Sequence, residues 1–119
     1  MRTILTVDDS TSMRQMVRAT LQSAGYGVVE AADGQEALAY ARANAVDLVI
    51  SDVNMPRMDG ITLVQQLRQL PAYRLTPLLL LTTESSQEKK MEGKKAGATG
   101  WIVKPFNPTQ LLATLTRLL

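Results

Sequence analysis

The chain has 119 residues, 45% of them hydrophobic, and a formal net charge of +2 from 13 basic and 11 acidic side chains. That describes one domain large enough to bury a core, with a radius of gyration of about 14 Å, and a charge too small to recruit nucleic acid by attraction alone. With neither cysteine nor histidine, disulfides, thiolate and imidazole metal sites, Ser-His or Cys-His catalysis and a phosphohistidine of its own are excluded.

The first predicted element is a buried strand over Thr3 to Val7, closed by Asp8 and Asp9. Met13, Met16, Val17, Leu21 and Ala24 then recur at helical spacing up to Gly25, a natural helix stop. A second strand covers residues 28–31, and Asp33 with Glu36 three positions on opens a helix through Ala37, Leu38 and Ala41. The third strand runs from Leu48 to Ser51 and meets Asp52. Asp59-Gly60 opens a helix with Leu63, Val64, Leu67 and Leu70 on one face, ended by Pro71. Residues 78–81 form the fourth strand, with Thr82 at its end, and residues 85–96 a polar, exposed helix anchored inward by Met91 and Ala96 alone. Gly100 to Val103 is the fifth strand, followed by Lys104-Pro105. Asn107-Pro108 with Gln110 then starts a final helix through Leu111, Leu112, Leu115 and Leu118.

Regular alternation of strand and helix predicts an α/β fold, a doubly wound parallel sheet with helices on both faces and right-handed crossovers. For five units the common strand order is 2-1-3-4-5, a flavodoxin-like (βα)5 three-layer sandwich that places residues 1–119 in a single domain. Ligands bind such folds outside the carboxyl ends of the strands, where the order reverses between strands 1 and 3. Asp8, Asp9 and Asp52 then converge at one edge, with Thr82 and Lys104 beside them.

Like charges so close repel by roughly 3 kcal/mol per pair at about 5 Å and an effective dielectric of about 20, so a cation must sit among them. An all-oxygen site suits a hard divalent ion, Mg²⁺ with Mn²⁺ as a substitute. Asn54 can add its backbone carbonyl. A carboxylate beside such an ion, with no base available to activate a hydroxyl, is suited to attack a phosphoryl group, which makes Asp52 the candidate nucleophile. Lys104 and the Thr82 hydroxyl can take two further phosphoryl oxygens.

The acidic pair Asp8-Asp9, the segment Asp52-Val53-Asn54-Met55-Pro56-Arg57-Met58-Asp59-Gly60, the Leu81-Thr82 strand end and Lys104-Pro105-Phe106 resemble the receiver domain of two-component response regulators. The likeness is greatest to the single-domain CheY-type chemotaxis regulators and covers essentially the whole chain. It implies Asp52 as phosphoacceptor and Mg²⁺ on Asp8, Asp9, Asp52 and the Asn54 carbonyl. It also implies Thr82 and Lys104 on the phosphoryl group, and a cis Lys104-Pro105 peptide. A histidine kinase or phosphotransfer protein is the implied donor. Asn54 and Glu84 hold the positions that tune dephosphorylation in the family. Trp101 replaces the Tyr, Phe or His switch residue three before the lysine, and its indole is larger than those rings.

The resemblance implies a signalling switch, not an enzyme with turnover. Its output surface would be the face made by the polar helix, the fifth strand and the last helix, and the flagellar motor is one candidate target. A phosphate sink without output is the alternative. A phosphohydrolase is disfavoured because such enzymes place an acid two residues after the nucleophile, where this chain has Asn54. Lys89, Lys90, Lys94 and Lys95 are interleaved with Glu84, Glu88 and Glu92, the pattern of a solvated helix face more than of a nucleic-acid site. No apolar run approaches the ~18 residues of a membrane span, and the first run is too short for a signal peptide. The expectation is a cytoplasmic monomer with no membrane insertion.

Overall fold

The computed structural model describes all 119 residues. The elements follow in the order β1 (Thr3–Val7), α1 (Thr11–Ser23), β2 (Gly27–Ala31), α2 (Gly34–Ala43), β3 (Leu48–Ser51), α3 (Gly60–Arg68), a 3-10 turn η1 (Pro71–Tyr73), β4 (Leu78–Thr82), α4 (Gln87–Ala96), β5 (Gly100–Val103) and α5 (Pro108–Leu118). All strand pairs are parallel and the order is β2-β1-β3-β4-β5, as expected. The Cα radius of gyration is 12.7 Å.

Strand side chains alternate between faces, so each strand feeds two cores. On one face Leu5, Val49, Leu78 and Leu80 pack with Leu38 of α2 and Leu63, Val64 and Leu67 of α3. On the other, Ile4, Leu48, Ile50, Leu79 and Leu81 pack with Val17 and Leu21 of α1 and Leu111 and Leu115 of α5. Burying each such leucine or isoleucine contributes about 2 kcal/mol, which makes these two layers the main support of the sheet edge that carries the polar residues.

All five α-helices start on a side-chain cap, three of them, Asp33, Asp59 and Asn107, marked in the sequence; in α1 Ser10 accepts the Met13 N–H. Asp33 accepts the Glu36 N–H, Asp59 the Thr62 N–H, Ser86 the Lys89 N–H and Asn107 the Gln110 N–H. α3 ends at Arg68, short of the expected Leu70, which is extended ahead of Pro71; Pro71 opens η1, which carries Tyr73 into the core, and the Tyr73 hydroxyl donates to the Asn44 carbonyl at 2.6 Å. The expectation for α4 needs correction. Met91 is 60% exposed, and the buried position is Gly93.

Candidate functional site

The carboxyl ends of β1, β3, β4 and β5 bring Asp8, Asp9, Asp52, Thr82 and Lys104 to one edge of the sheet. β1 and β3 are direct neighbours in register from Ile4 opposite Leu48 to Val7 opposite Ser51. Pairing continues past the strands: the Asp52 N–H donates to the Val7 carbonyl at 2.9 Å and the Asp8 N–H to the Ala31 carbonyl at 3.1 Å. The backbone of both acids is therefore fixed by the ladder itself.

One carboxylate oxygen from each of Asp8, Asp9 and Asp52 lies within 4.8 Å of the others, with Asp8 buried and Asp9 exposed. Lys104 bridges two of them. Its Nζ donates to Asp8 Oδ2 at 2.8 Å and to Asp52 Oδ2 at 3.1 Å. The remaining oxygens take backbone donors, Asp8 Oδ1 from the Ser10 N–H at 2.9 Å and Asp52 Oδ1 from the Val53 N–H at 2.7 Å. Burial by itself pulls the Lys104 pKa down, but hydrogen bonds and charge from Asp8 and Asp52 outweigh it and hold the ammonium above its ordinary 10.5.

Three carboxylates against one ammonium leave two negative charges uncompensated. A divalent cation supplies that difference, and the all-oxygen donor set fits a hard ion of the alkaline-earth type. Asn54 lies exposed on the loop two residues past Asp52, so its carbonyl is on the segment that follows the cluster.

Three supports of the site were not singled out by the sequence reading. Gly60, at the start of α3, has no room for a side chain, because a Cβ there would stand 1.9 Å from the Asp52 carbonyl oxygen. Arg14 donates to the Asp8 carbonyl at 2.5 Å and pairs with Glu30 at 3.3 Å, while Arg18 pairs with the same Glu30 at 2.6 Å. The spacing of these arginines, four apart on one helix, is the signal that could have revealed them. Arg57 adopts φ 69° and pairs with the buried Asp33 at 3.2 Å, tying the loop after Asp52 to the start of α2.

The second half of the site is a chain of hydrogen bonds. Thr82 is fully buried and its Oγ1 accepts the Glu84 N–H at 3.2 Å. The Glu84 carbonyl accepts Trp101 Nε1–H at 2.9 Å, and its carboxylate accepts the Ser86 N–H at 3.3 Å. The Glu84 side chain is thus engaged with its own loop. Lys104-Pro105 is cis, as the resemblance implies.

Comparison with known proteins agrees with this geometry: a model of the response regulator receiver domain matches residues 4–116. The chain belongs to the response regulator receiver domain family. The structure of the chemotaxis response regulator CheY4 of Vibrio cholerae is similar to this receiver at 60% identity, covering 100% of this chain and 99% of that one with a TM-score of 0.95. The chemotaxis protein CheY1 of Helicobacter pylori is 40% identical over 91% of this chain and 89% of its own length. The alkaline phosphatase synthesis transcriptional regulatory protein PhoP of Bacillus subtilis is 37% identical over 98% of this chain but only 48% of that protein, so the receiver spans about half the length of such relatives. Receiver domains are phosphoryl-accepting signalling modules of two-component systems that work with a histidine kinase or phosphotransfer partner, and the acid cluster is a place to hold a divalent metal. No helix here is long and apolar enough to cross a membrane.

Proposed function

We propose that this receiver accepts a phosphoryl group on Asp52 from a phosphohistidine donor and relays it, in the cytoplasm, to a chemotaxis output such as the flagellar motor. The observation that carries the reading is the Lys104 bridge, 2.8 Å from Asp8 and 3.1 Å from Asp52, inside a cluster short of two positive charges. Likeness to the V. cholerae and H. pylori chemotaxis proteins supports the pathway.

An Asp52 carboxylate oxygen forms the new O–P bond as the P–N bond of the donor breaks, and the donor ring, protonated on its other nitrogen, keeps the P–N electron pair and leaves as neutral imidazole. Asp8, Asp9, Asp52 and the Asn54 carbonyl are the residues to hold Mg²⁺, which when bound neutralises phosphoryl oxygens. Lys104 exchanges a carboxylate partner for a phosphoryl oxygen. The Thr82 hydroxyl, which accepts from Glu84, keeps its own proton to donate to a second oxygen. Asn54 and Glu84 are assigned to tuning hydrolysis; of the two, Asn54 is the freer, since the Glu84 carboxylate is held by Ser86.

Labelling tests this directly. Wild-type protein with Mg²⁺ and a phosphohistidine or acyl phosphate donor should incorporate phosphate, and Asp52→Asn should incorporate none. Undiminished labelling of Asp52→Asn would overturn the assignment.

A further inference from the structure

β2 is an edge strand, in register with β1 from Thr3 opposite Gly27 to Val7 opposite Ala31. Ile4 and its partner Val28 pack in the core beneath α1, and two residues on, on the same face, stand Thr6 and its partner Glu30. Glu30 is thus an acid on a side of the strand that otherwise packs inward. A charge there can keep an edge strand from pairing with another sheet, but that role needs no partner and Glu30 has two. Oε1 accepts from Arg14 Nε at 3.3 Å and Oε2 from Arg18 Nη1 at 2.6 Å.

The Arg14 guanidinium is itself fully engaged, and none of its partners is a carboxylate of the acid cluster. Nε goes to Glu30, Nη1 to the Asp8 carbonyl at 2.5 Å and Nη2 to Thr11 Oγ1 at 3.4 Å. The cluster is nonetheless at hand: Arg14, Asp8 and Asp52 line one small space of about 10 Å³, and the Arg14 side chain is only 16% exposed. A guanidinium keeps its charge at any physiological pH, so that charge can be aimed but not removed. Its preferred partner is a carboxylate that it can grip with two parallel hydrogen bonds. Asp8, Asp9 and Asp52, compensated by Lys104 alone, offer that grip.

We propose that Glu30 is a tether, which holds the Arg14 guanidinium on the Asp8 carbonyl and off the cluster carboxylates, so that the site stays short of positive charge for a divalent ion. Arg14 then fixes the Asp8 peptide without competing for the Asp8 carboxylate, and Arg18 secures the second oxygen of the tether. Released, Arg14 would act as a second Lys104 and halve the charge deficit that draws the metal. Glu30 is a positioning residue that works through Arg14. The tether rests on the reading of the acid cluster as the Mg²⁺ site.

Titration of the full chain with magnesium chloride, followed at the backbone amide resonances of Asp9, Asp52 and Val53, tests both. Wild type should give a saturable shift at these amides, and Asp52→Asn should bind at least tenfold more weakly. Glu30→Gln, nearly the same shape on a partly exposed edge strand, should weaken Mg²⁺ binding at least threefold. The double variant Arg14→Met/Glu30→Gln should bind within twofold of Arg14→Met alone, because the competing cation is gone. Glu30→Gln that binds Mg²⁺ as wild type does would overturn the tether. So would the same threefold loss in the Arg14→Met background, which would make Glu30 a nearby charge and nothing more. In both cases the saturable wild-type response leaves the Mg²⁺ reading standing. Wild-type protein without a saturable response at these amides would overturn the Mg²⁺ reading and the tether together.

Discussion

Two cations are drawn into the fold at opposite ends of the sheet, and they are satisfied in opposite ways. Lys104, past the carboxyl end of β5, is held by two carboxylates. Arg68, beyond the amino ends of β4 and β5, has no acid partner and rests on the carbonyls of four residues and one hydroxyl. Burial accordingly lowers the Arg68 pKa from its ordinary value, while the acids more than reverse that effect for Lys104. Neutral dipoles cannot titrate or be claimed by an ion, so Arg68 has one state. The Lys104 partners can be claimed by a metal or altered by phosphorylation, so its position is conditional on what the site holds.

The sharpest way to break this contrast is to remove Lys104. Without divalent ions, Lys104→Ala leaves Asp8 and Asp52 facing each other nearly buried and should lose about 3 kcal/mol of stability. Saturating Mg²⁺ should restore most of it in urea unfolding, and the variant should bind Mg²⁺ more tightly than wild type. It should still accept phosphate, because Asp52 remains. An equal loss with and without Mg²⁺ would show that Lys104 is only a packing group.

Arg68→Met is the counterpart, expected to cost about 2 kcal/mol from carbonyls left without donors. That loss should be the same with and without Mg²⁺. A metal-dependent loss would mean that the two ends of the sheet are coupled in the resting state.

The smallest effect is the pH dependence of the Lys104 contribution. Because the folded pKa is raised above 10.5, this stability is fully present below the unfolded value and is lost as pH rises through the folded one. The difference between wild type and Lys104→Ala in metal-free buffer should hold steady through neutrality and shrink only in the alkaline range. A difference that shrinks between pH 6 and 8 would point to some other titrating group.

The fold was almost wholly legible because each strand carries its own hydrophobic run and three of the five helices carry their own start signals, at Asp33, Asp59 and Asn107. The acid cluster was legible for a related reason: strand ends are visible in sequence, and strand order then brings them together. What stayed hidden depends on partners distant in sequence. Nothing local says that Arg68 faces Gly97, that Tyr73 reaches the Asn44 carbonyl, or that Arg14 holds the Asp8 peptide. Met91 was misplaced because helical periodicity assumes that the inward stripe is apolar, whereas α4 turns glycine inward and lets the indole supply the apolar surface.

Gly93 and Gly97 of α4, where an added Cβ would press on Trp101 and Arg68, also bear on how the outer surface of that helix can diversify. A helix that docks through side chains commits those side chains to the core, and every change of partner then risks the fold. Here the closest docking atoms are the backbone at Gly93 and Gly97, joined by the small side chain of Ala96, and the apolar and cationic groups that meet the two glycines come from β4, β5 and α3. The exposed positions of α4 are therefore free to be rewritten for a new binding partner with little cost to folding, which makes this helix a natural place to redirect the signal while the chemistry at Asp52 stays untouched.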